Sequence, residues 1–215
     1  METLLPFALL CLTSFFTLTN PLGTMPVFLT MTQGMSERER RSIVWRATLV
    51  AFITIMVFTF AGQFLFMFFG ISTNGFRIAG GFIIFKIGFD MLQARYTPMK
   101  LNDEEIKAYA DDISITPLGI PMLCGPGAIA NAIVLMQDAN TFEMKSILIG
   151  TIALIYFITF LILRAFTRLV DFLGETGTNV MMRLMGLILM VIAVECFVGG
   201  ARPILTDIIR TATGG

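Results

Sequence analysis

Hydrophobic residues run along the chain in six long stretches separated by short polar segments. The stretches cover residues 4–31, 45–69, 75–93, 114–137, 146–169 and 181–199. Each is long enough, as a helix, to cross the roughly 30 Å hydrocarbon core of a bilayer. Little sequence is left over for a soluble domain. The pattern therefore predicts an all-α membrane protein with six transmembrane helices.

Proline and glycine interrupt the first and fourth stretches. The interruptions read Asn20-Pro21-Leu22-Gly23-Thr24-Met25-Pro26 and Thr116-Pro117-Leu118-Gly119-Ile120-Pro121, the latter followed by Cys124-Gly125-Pro126-Gly127-Ala128. Proline lacks a backbone N–H and clashes with the preceding turn, and it disfavours helical geometry in the residue before it. We therefore predict broken first and fourth helices, with an unwound stretch over residues 20–26 and a new half-helix from Gly127.

The two interruptions occupy matching places in an internal repeat. Asn20-Pro21 aligns with Gly125-Pro126 at an offset of 105, Gly70 with Gly174 at 104, and residues 76–80 with residues 182–186 at 106. Because each repeat holds three spans, the second must enter the membrane from the opposite side, which gives two inverted three-helix repeats. Within a single transmembrane domain, we assign repeat 1 to residues 1–95, a cytoplasmic linker to 96–112 and repeat 2 to 113–215.

Composition excludes several kinds of chemistry. The chain is 56% hydrophobic, its 15 basic and 15 acidic residues give no net charge, and it has no histidine. Without a basic patch we expect no nucleic-acid partner, and without histidine there is no imidazole base or metal ligand. Cys11, Cys124 and Cys196 are isolated in apolar runs, which favours buried hydrophobes over a metal or redox set. We therefore expect no catalytic residues, no metal site and no cofactor.

Basic residues predict the orientation in the membrane. Loops one, three and five hold nine lysines and arginines, against four on the opposite face. Cytoplasmic loops carry the excess of positive charge. These three loops are therefore predicted to be cytoplasmic, and both termini periplasmic.

Backbone that leaves a helix inside a membrane must be buried in protein or line a wet cavity, and paired interruptions indicate a transporter's binding site. The start of a half-helix offers N–H groups to an anion, and the end of one offers carbonyls to a cation. A small zwitterion such as an amino acid matches both. The predicted substrate-binding residues are Asn20, Pro21, Gly23, Thr24, Gly125, Pro126, Gly127 and Ala128. The competing interpretation is a pair of proline kinks that only help helices to pack.

Three charged residues lie within the predicted spans. Lys86 and Asp90 are four residues apart and share a helix face, so they form either a structural pair or part of a route for H⁺ or Na⁺. Glu195 lies one position from the repeat equivalent of Asp90, and we weigh coupling against a structural role for it. These are the candidate coupling residues.

The sequence also resembles a known family. Residues 20–26, 36–40, 76–81, 117–121 and 125–128 are similar to motifs of the MarC family, also called UPF0056. The resemblance covers nearly the whole chain. It implies a multi-pass protein of the bacterial inner membrane, and the family includes SnatA-type proteins described as small neutral amino acid transporters.

The first interpretation of the sequence is thus a secondary transporter of a small neutral amino acid such as glycine or alanine. A passive channel or facilitator using the same broken helices is the second, and an amino acid exporter for another substrate class is also open. An intramembrane enzyme is the weakest, because no catalytic acid pair or Ser/Lys motif lies near either break. The expected partners are the lipid bilayer and a small-molecule substrate, and the sequence leaves a homo-oligomer open.

Overall fold

The computed structural model describes residues 4–32, 35–93, 112–166 and 170–213. Within these ranges it has seven α-helices and no strand: α1 (Leu4–Thr19), α2 (Pro21–Met31), α3 (Glu37–Phe69), α4 (Thr73–Leu92), α5 (Pro126–Asp138), α6 (Phe142–Phe166) and α7 (Val170–Thr213). The segment Ser114–Leu123, which we call the 114–123 segment, precedes α5 and has wide helical turns. The predicted linker lies almost entirely outside the described residues.

Four helical stretches are long and apolar enough to cross a membrane, namely Leu4–Leu29, α3, α6 and Gly186–Ala212. A fifth span results if the 114–123 segment and α5, which are bent by 54°, cross together. Helix α4 has 20 residues but contains three charged residues, Arg77, Lys86 and Asp90, and it does not meet the same criteria of length and apolarity. The prediction of a helical membrane protein is therefore confirmed, while the six-span inverted repeat stays a prediction.

Local sequence explains where α3 begins. The Ser36 hydroxyl accepts a hydrogen bond from the Glu39 N–H, and the Glu39 carboxylate accepts one from the Ser36 N–H at 2.8 Å. This reciprocal capping box satisfies two backbone donors that a helix start leaves free. Helix α3 therefore begins eight residues before the predicted span, at Glu37.

Helix α7 is longer than predicted at both ends. The predicted span covers residues 181–199, but the helix runs from Val170 to Thr213. No proline lies between residues 170 and 202, and extending an existing helix is far easier than starting one. Pro203 lies inside the helix and does not end it. Near its far end Gly200 packs against α4, and neither Gly199 nor Gly200 ends the helix.

Helices α4 and α7 run antiparallel with their backbones in close contact. A Cβ added to Gly200 would lie 2.5 Å from the Asn74 carbonyl, one on Gly81 would lie 2.9 Å from the Ala193 carbonyl, and one on Gly88 would lie 2.7 Å from the Gly186 carbonyl. Residue numbers thus rise along one helix as they fall along the other. Small residues let membrane helices approach this closely, so the two helices form a tight seam.

The remaining helices pack around this seam and around one another. Helix α1 packs on α6, the 114–123 segment and α5 pack on α3, α2 packs on α7, and α5 packs on α4. The Asn131 amide donates a hydrogen bond to the Ser14 hydroxyl at 3.1 Å, which links α5 to α1. These contacts place the two predicted breaks beside each other, next to the α4–α7 seam.

Candidate functional site

The first break is a single residue, Asn20. Its φ of 43° is left-handed, and the helix resumes at once with Pro21. The Asn20 side-chain oxygen accepts a hydrogen bond from the Gly23 N–H at 3.1 Å, and the Asn20 carbonyl accepts one from the Thr24 N–H at 3.1 Å. The prediction of an unwound stretch over residues 20–26 is therefore wrong. Asparagine tolerates the left-handed region and caps the next helix, and proline fits the first helical position because its missing N–H costs nothing there.

We expect Asn20→Ala to lower stability, because alanine loses the cap and disfavours a positive φ. Caps contribute about 1 kcal/mol and a left-handed alanine costs about 1–2 kcal/mol more. Asn20→Gly should recover most of the loss, since glycine accepts this φ. Thermal midpoints of the purified variants test this. Equal midpoints for Asn20→Ala and Asn20→Gly would contradict the structural role of the left-handed turn.

The second break is wider. Within the 114–123 segment Thr116 and Ile120 leave helical geometry, and their bonds to the following prolines are cis. The Tyr156 hydroxyl on α6 donates to the Leu123 carbonyl at 2.9 Å, which holds the end of the segment. Helix α5 then begins at Pro126 with Gly125 as its N-cap. Since glycine has no side chain to cap with, the first N–H groups of α5 lack the side-chain partner that Asn20 gives α2.

A cavity of about 400 Å³ lies between the two breaks and the α4–α7 seam. Five of the predicted substrate-binding residues line it, namely Asn20, Gly23, Thr24, Gly125 and Gly127. The other three lie beside it without lining it, namely Pro21, Pro126 and Ala128. The Pro126 ring packs against Gly80 of α4, where a Cβ would overlap it. The structure therefore brings residues of both motifs to one cavity, and their role in binding stays a prediction.

Two backbone carbonyls beside the cavity lack their usual helical donor. Pro21 has no N–H to offer the carbonyl of Thr17, four residues earlier. Met122 lies in the last turn of the 114–123 segment, whose final carbonyls have no partner within the segment. Thr17 and Met122 both line the cavity. They are also repeat equivalents, 105 positions apart. Each repeat thus contributes one residue to the cavity lining, at matched positions, whose carbonyl can accept a hydrogen bond from a ligand.

The charged candidates separate into two groups. Glu195 lines the cavity, whereas Lys86 and Asp90 do not. Lys86 is exposed and Asp90 is half-buried, and within the described part of the chain no ion pair joins them. The structural pair that the sequence suggested is therefore not formed. The structure leaves Glu195 as the candidate coupling residue at the cavity.

Sequence reasoning missed one charged residue of the cavity, Arg77. In the sequence, Arg77 is one of the four basic residues on the predicted periplasmic face. The available clue was its place in the repeated motif that begins at Phe76, since that motif also supplies Gly80 beside Pro126. Among the described residues, no cluster of histidine, cysteine, aspartate or glutamate could hold a metal ion.

Comparison with known proteins gives a consistent result. Residues 5–205 match a family model described as MarC family integral membrane protein. The chain is 35% identical over 203 residues to a UPF0056 membrane protein of Methanocaldococcus jannaschii, covering 94% of this chain and 98% of that protein. It is 36% identical over 201 residues to the UPF0056 membrane protein YvbG of Bacillus subtilis, covering 90% and 95%. No solved structure showed a significant match.

Proposed function

The chain belongs to the MarC family of integral membrane proteins, and from that premise we propose that it is a secondary transporter of a small neutral amino acid such as glycine or alanine. The observation that carries the proposal is the cavity, which is lined by residues from both interrupted motifs. The relatives of this chain are named as membrane proteins without a stated substrate. The substrate class therefore rests on the chemistry of the cavity and on the family resemblance.

The cavity is large enough for a small zwitterion and offers groups that could bind both of its charges. Its volume of about 400 Å³ is at the low end for small-molecule sites. The uncapped start of α5 favours a carboxylate, because N–H groups and the positive end of the helix dipole meet there. The carbonyls of Thr17 and Met122 can accept hydrogen bonds from an ammonium group. Transport, and not catalysis, is the activity that this arrangement supports.

We also propose that the fold consists of two inverted repeats, with α1–α2, α3 and α4 equivalent to the 114–123 segment with α5, α6 and α7. In this scheme the contact of α1 with α6 is equivalent to the contact of the 114–123 segment with α3, and both contacts occur. The contact of α2 with α7 is likewise equivalent to the contact of α5 with α4, and both occur. The seam joins α4 to its own equivalent, as a two-fold axis between them requires.

Ion coupling is assigned to Glu195 in this proposal. We expect Glu195→Gln to lose accumulation driven by a H⁺ or Na⁺ gradient while it retains exchange of internal for external substrate, because glutamine keeps the shape but not the charge. Asp90→Asn is the matched control, since Asp90 lies outside the cavity. Counterflow and gradient-driven uptake in proteoliposomes measure the two activities. Full gradient-driven uptake by Glu195→Gln would exclude Glu195 from coupling.

The orientation follows from the positive-inside pattern. We expect both termini to face the periplasm in a bacterial cell membrane. A phosphatase that is active only in the periplasm should then be active when fused after residue 215. A green fluorescent protein fused at the same place should not fluoresce. A fluorescent C-terminal fusion would reverse the assigned orientation.

The experiment that tests the proposed function is transport by purified protein in proteoliposomes. A panel of labelled amino acids is offered with and without imposed H⁺ or Na⁺ gradients. A secondary transporter accumulates its substrate above the external concentration when the gradient is present. Equilibration without accumulation would favour the channel or facilitator, and export from loaded cells without uptake would favour an exporter.

A further inference from the structure

Two charged side chains line the cavity, and they carry opposite charges. They are Arg77 on α4 and Glu195 on α7. Within the described part of the chain no ion pair links them. Charged residues within membrane segments are costly and face protein or water-filled cavities when they occur. With Glu195 assigned to coupling, Arg77 needs a separate explanation.

Local structure does not supply that explanation. Arg77 is the fifth residue of α4, close to the positive end of the helix dipole, where a cation does not stabilise the helix. No hydrogen bond or ion pair of its side chain occurs with any other described residue. The neighbouring helix leaves room for it, because a Cβ on Gly200 would come within 3.2 Å of the Arg77 Cβ. Arg77 is thus a half-buried cation whose N–H donors no other described residue uses.

We propose that Arg77 is the residue that binds the carboxylate of the transported substrate. This inference rests on the proposed transport function and names the charge that the cavity selects. A guanidinium presents a planar set of N–H donors that pairs with both oxygens of a carboxylate. Arg77 also lines the same cavity as Gly125 and Gly127 at the uncapped start of α5. The substrate carboxylate then lies between the guanidinium and α5, and its ammonium group lies toward the carbonyls of Thr17 and Met122.

The test compares alanine with alaninamide, which has the same size but no carboxylate. We expect Arg77→Gln to lower the affinity for alanine about 10- to 100-fold, as for other truncated charge contacts. The affinity for alaninamide should not fall, because alaninamide is a cation that gains nothing from the Arg77 charge. Arg77→Lys should lie between, because it keeps the charge without the fork. The matched control is Arg183→Gln, at the equivalent position of the second repeat, where Arg183 is exposed and does not line the cavity.

Thermal midpoints of all variants are measured alongside the affinities. Equal losses for alanine and alaninamide in folded Arg77→Gln would overturn the inference, as would unchanged affinity for alanine. The same result in Arg183→Gln as in Arg77→Gln would also overturn it. If Arg77→Gln does not fold, the comparison is made with Arg77→Lys, whose selective loss for alanine supports the inference and whose non-selective loss contradicts it.

A second measurement needs no amino acid. Cys196 lines the cavity and is half-buried, whereas Cys11 and Cys124 are fully buried. Cys196 therefore reports on charged thiol reagents that enter, and Cys196→Ser identifies its share of the labelling. The ratio of its rate with a sulfonate-bearing methanethiosulfonate to its rate with a trimethylammonium-bearing one should fall about fivefold in Arg77→Gln, since one nearby charge is removed. Arg183→Gln should leave the ratio unchanged.

The two measurements separate the inference from the proposed function. If the unaltered protein binds no amino acid but the reagent ratio falls in Arg77→Gln, the proposed transport of amino acids is wrong and Arg77 remains the anion-attracting group of the cavity. If the ratio is unchanged in Arg77→Gln, the assignment of Arg77 is wrong whatever the substrate.

Discussion

Replacing Gly127 with leucine is expected to abolish substrate binding in a protein that still folds. Gly127 lines the cavity, and a Cβ there would lie 3.2 Å from the end of the Leu18 side chain and 3.7 Å from the Cys196 sulfur. A leucine side chain extends beyond this point into the space that we assign to the substrate. We expect affinity to fall at least about 100-fold, which corresponds to about 2.7 kcal/mol.

Two matched variants keep this prediction specific. Gly127→Ala adds only the Cβ, which the flexible Leu18 end can accommodate, so affinity should change little. Gly150→Leu adds the same side chain on α6, where nothing lies within 4 Å. Binding isotherms and thermal midpoints are measured on each. Unchanged affinity in folded Gly127→Leu would show that the cavity is not the binding site and would favour the kink-only interpretation of the motifs.

The largest effect on stability is expected for Gly88→Leu, in the seam between α4 and α7. A Cβ at this position would lie 2.7 Å from the Gly186 carbonyl and 3.0 Å from the Met190 N atom. Backbone atoms cannot move aside as a side-chain end can, so the two helices must separate. Overpacking typically costs 1–3 kcal/mol, and we expect about 3 kcal/mol or more here.

The measurement is the thermal midpoint together with the yield of monodisperse protein in detergent. Gly150→Leu again serves as the control, because its added side chain points into open space. If the seam holds the fold together, the thermal midpoint falls strongly in Gly88→Leu and hardly changes in Gly150→Leu. Similar midpoints for the two would mean that α4 and α7 do not need their close contact.

Much of the fold could be predicted because membranes impose simple rules. Long apolar runs must be helical, and proline at 21 and 126 must interrupt them. What could not be predicted is how each interruption is repaired. Asn20 restores the helix within one residue through its left-handed turn and its cap, an effect that depends on one side-chain conformation. Helix α7 also passes through Gly199 and Gly200 despite the low helix propensity of glycine, and Gly200 packs there against α4.

The residues that line the cavity could be predicted better from the motifs than from the charges. Matched breaks in two repeats had to face each other if the repeats pack around an axis, and residues of both line one cavity. Charges were harder, because which face a helix turns to its neighbours depends on tertiary packing. The pairing of Lys86 with Asp90 followed from spacing alone and is not formed. Arg77, by contrast, lies at the cavity through the register between α4 and α7, and its place in the repeated motif that begins at Phe76 was the available sequence clue.

The glycine seam has a mechanical consequence. From Asn74 and Gly200 to Gly88 and Gly186, main-chain atoms of α4 and α7 lie in close contact, which resists shear or rotation of one helix against the other. We therefore expect the two helices to move together as one unit. If the cavity opens to alternate sides of the membrane, we expect the movement along the flanks of this helix pair, where α2 meets α7 and α5 meets α4. The two proline breaks lie on those flanks, so the parts of the chain best able to hinge border the surface that has to slide.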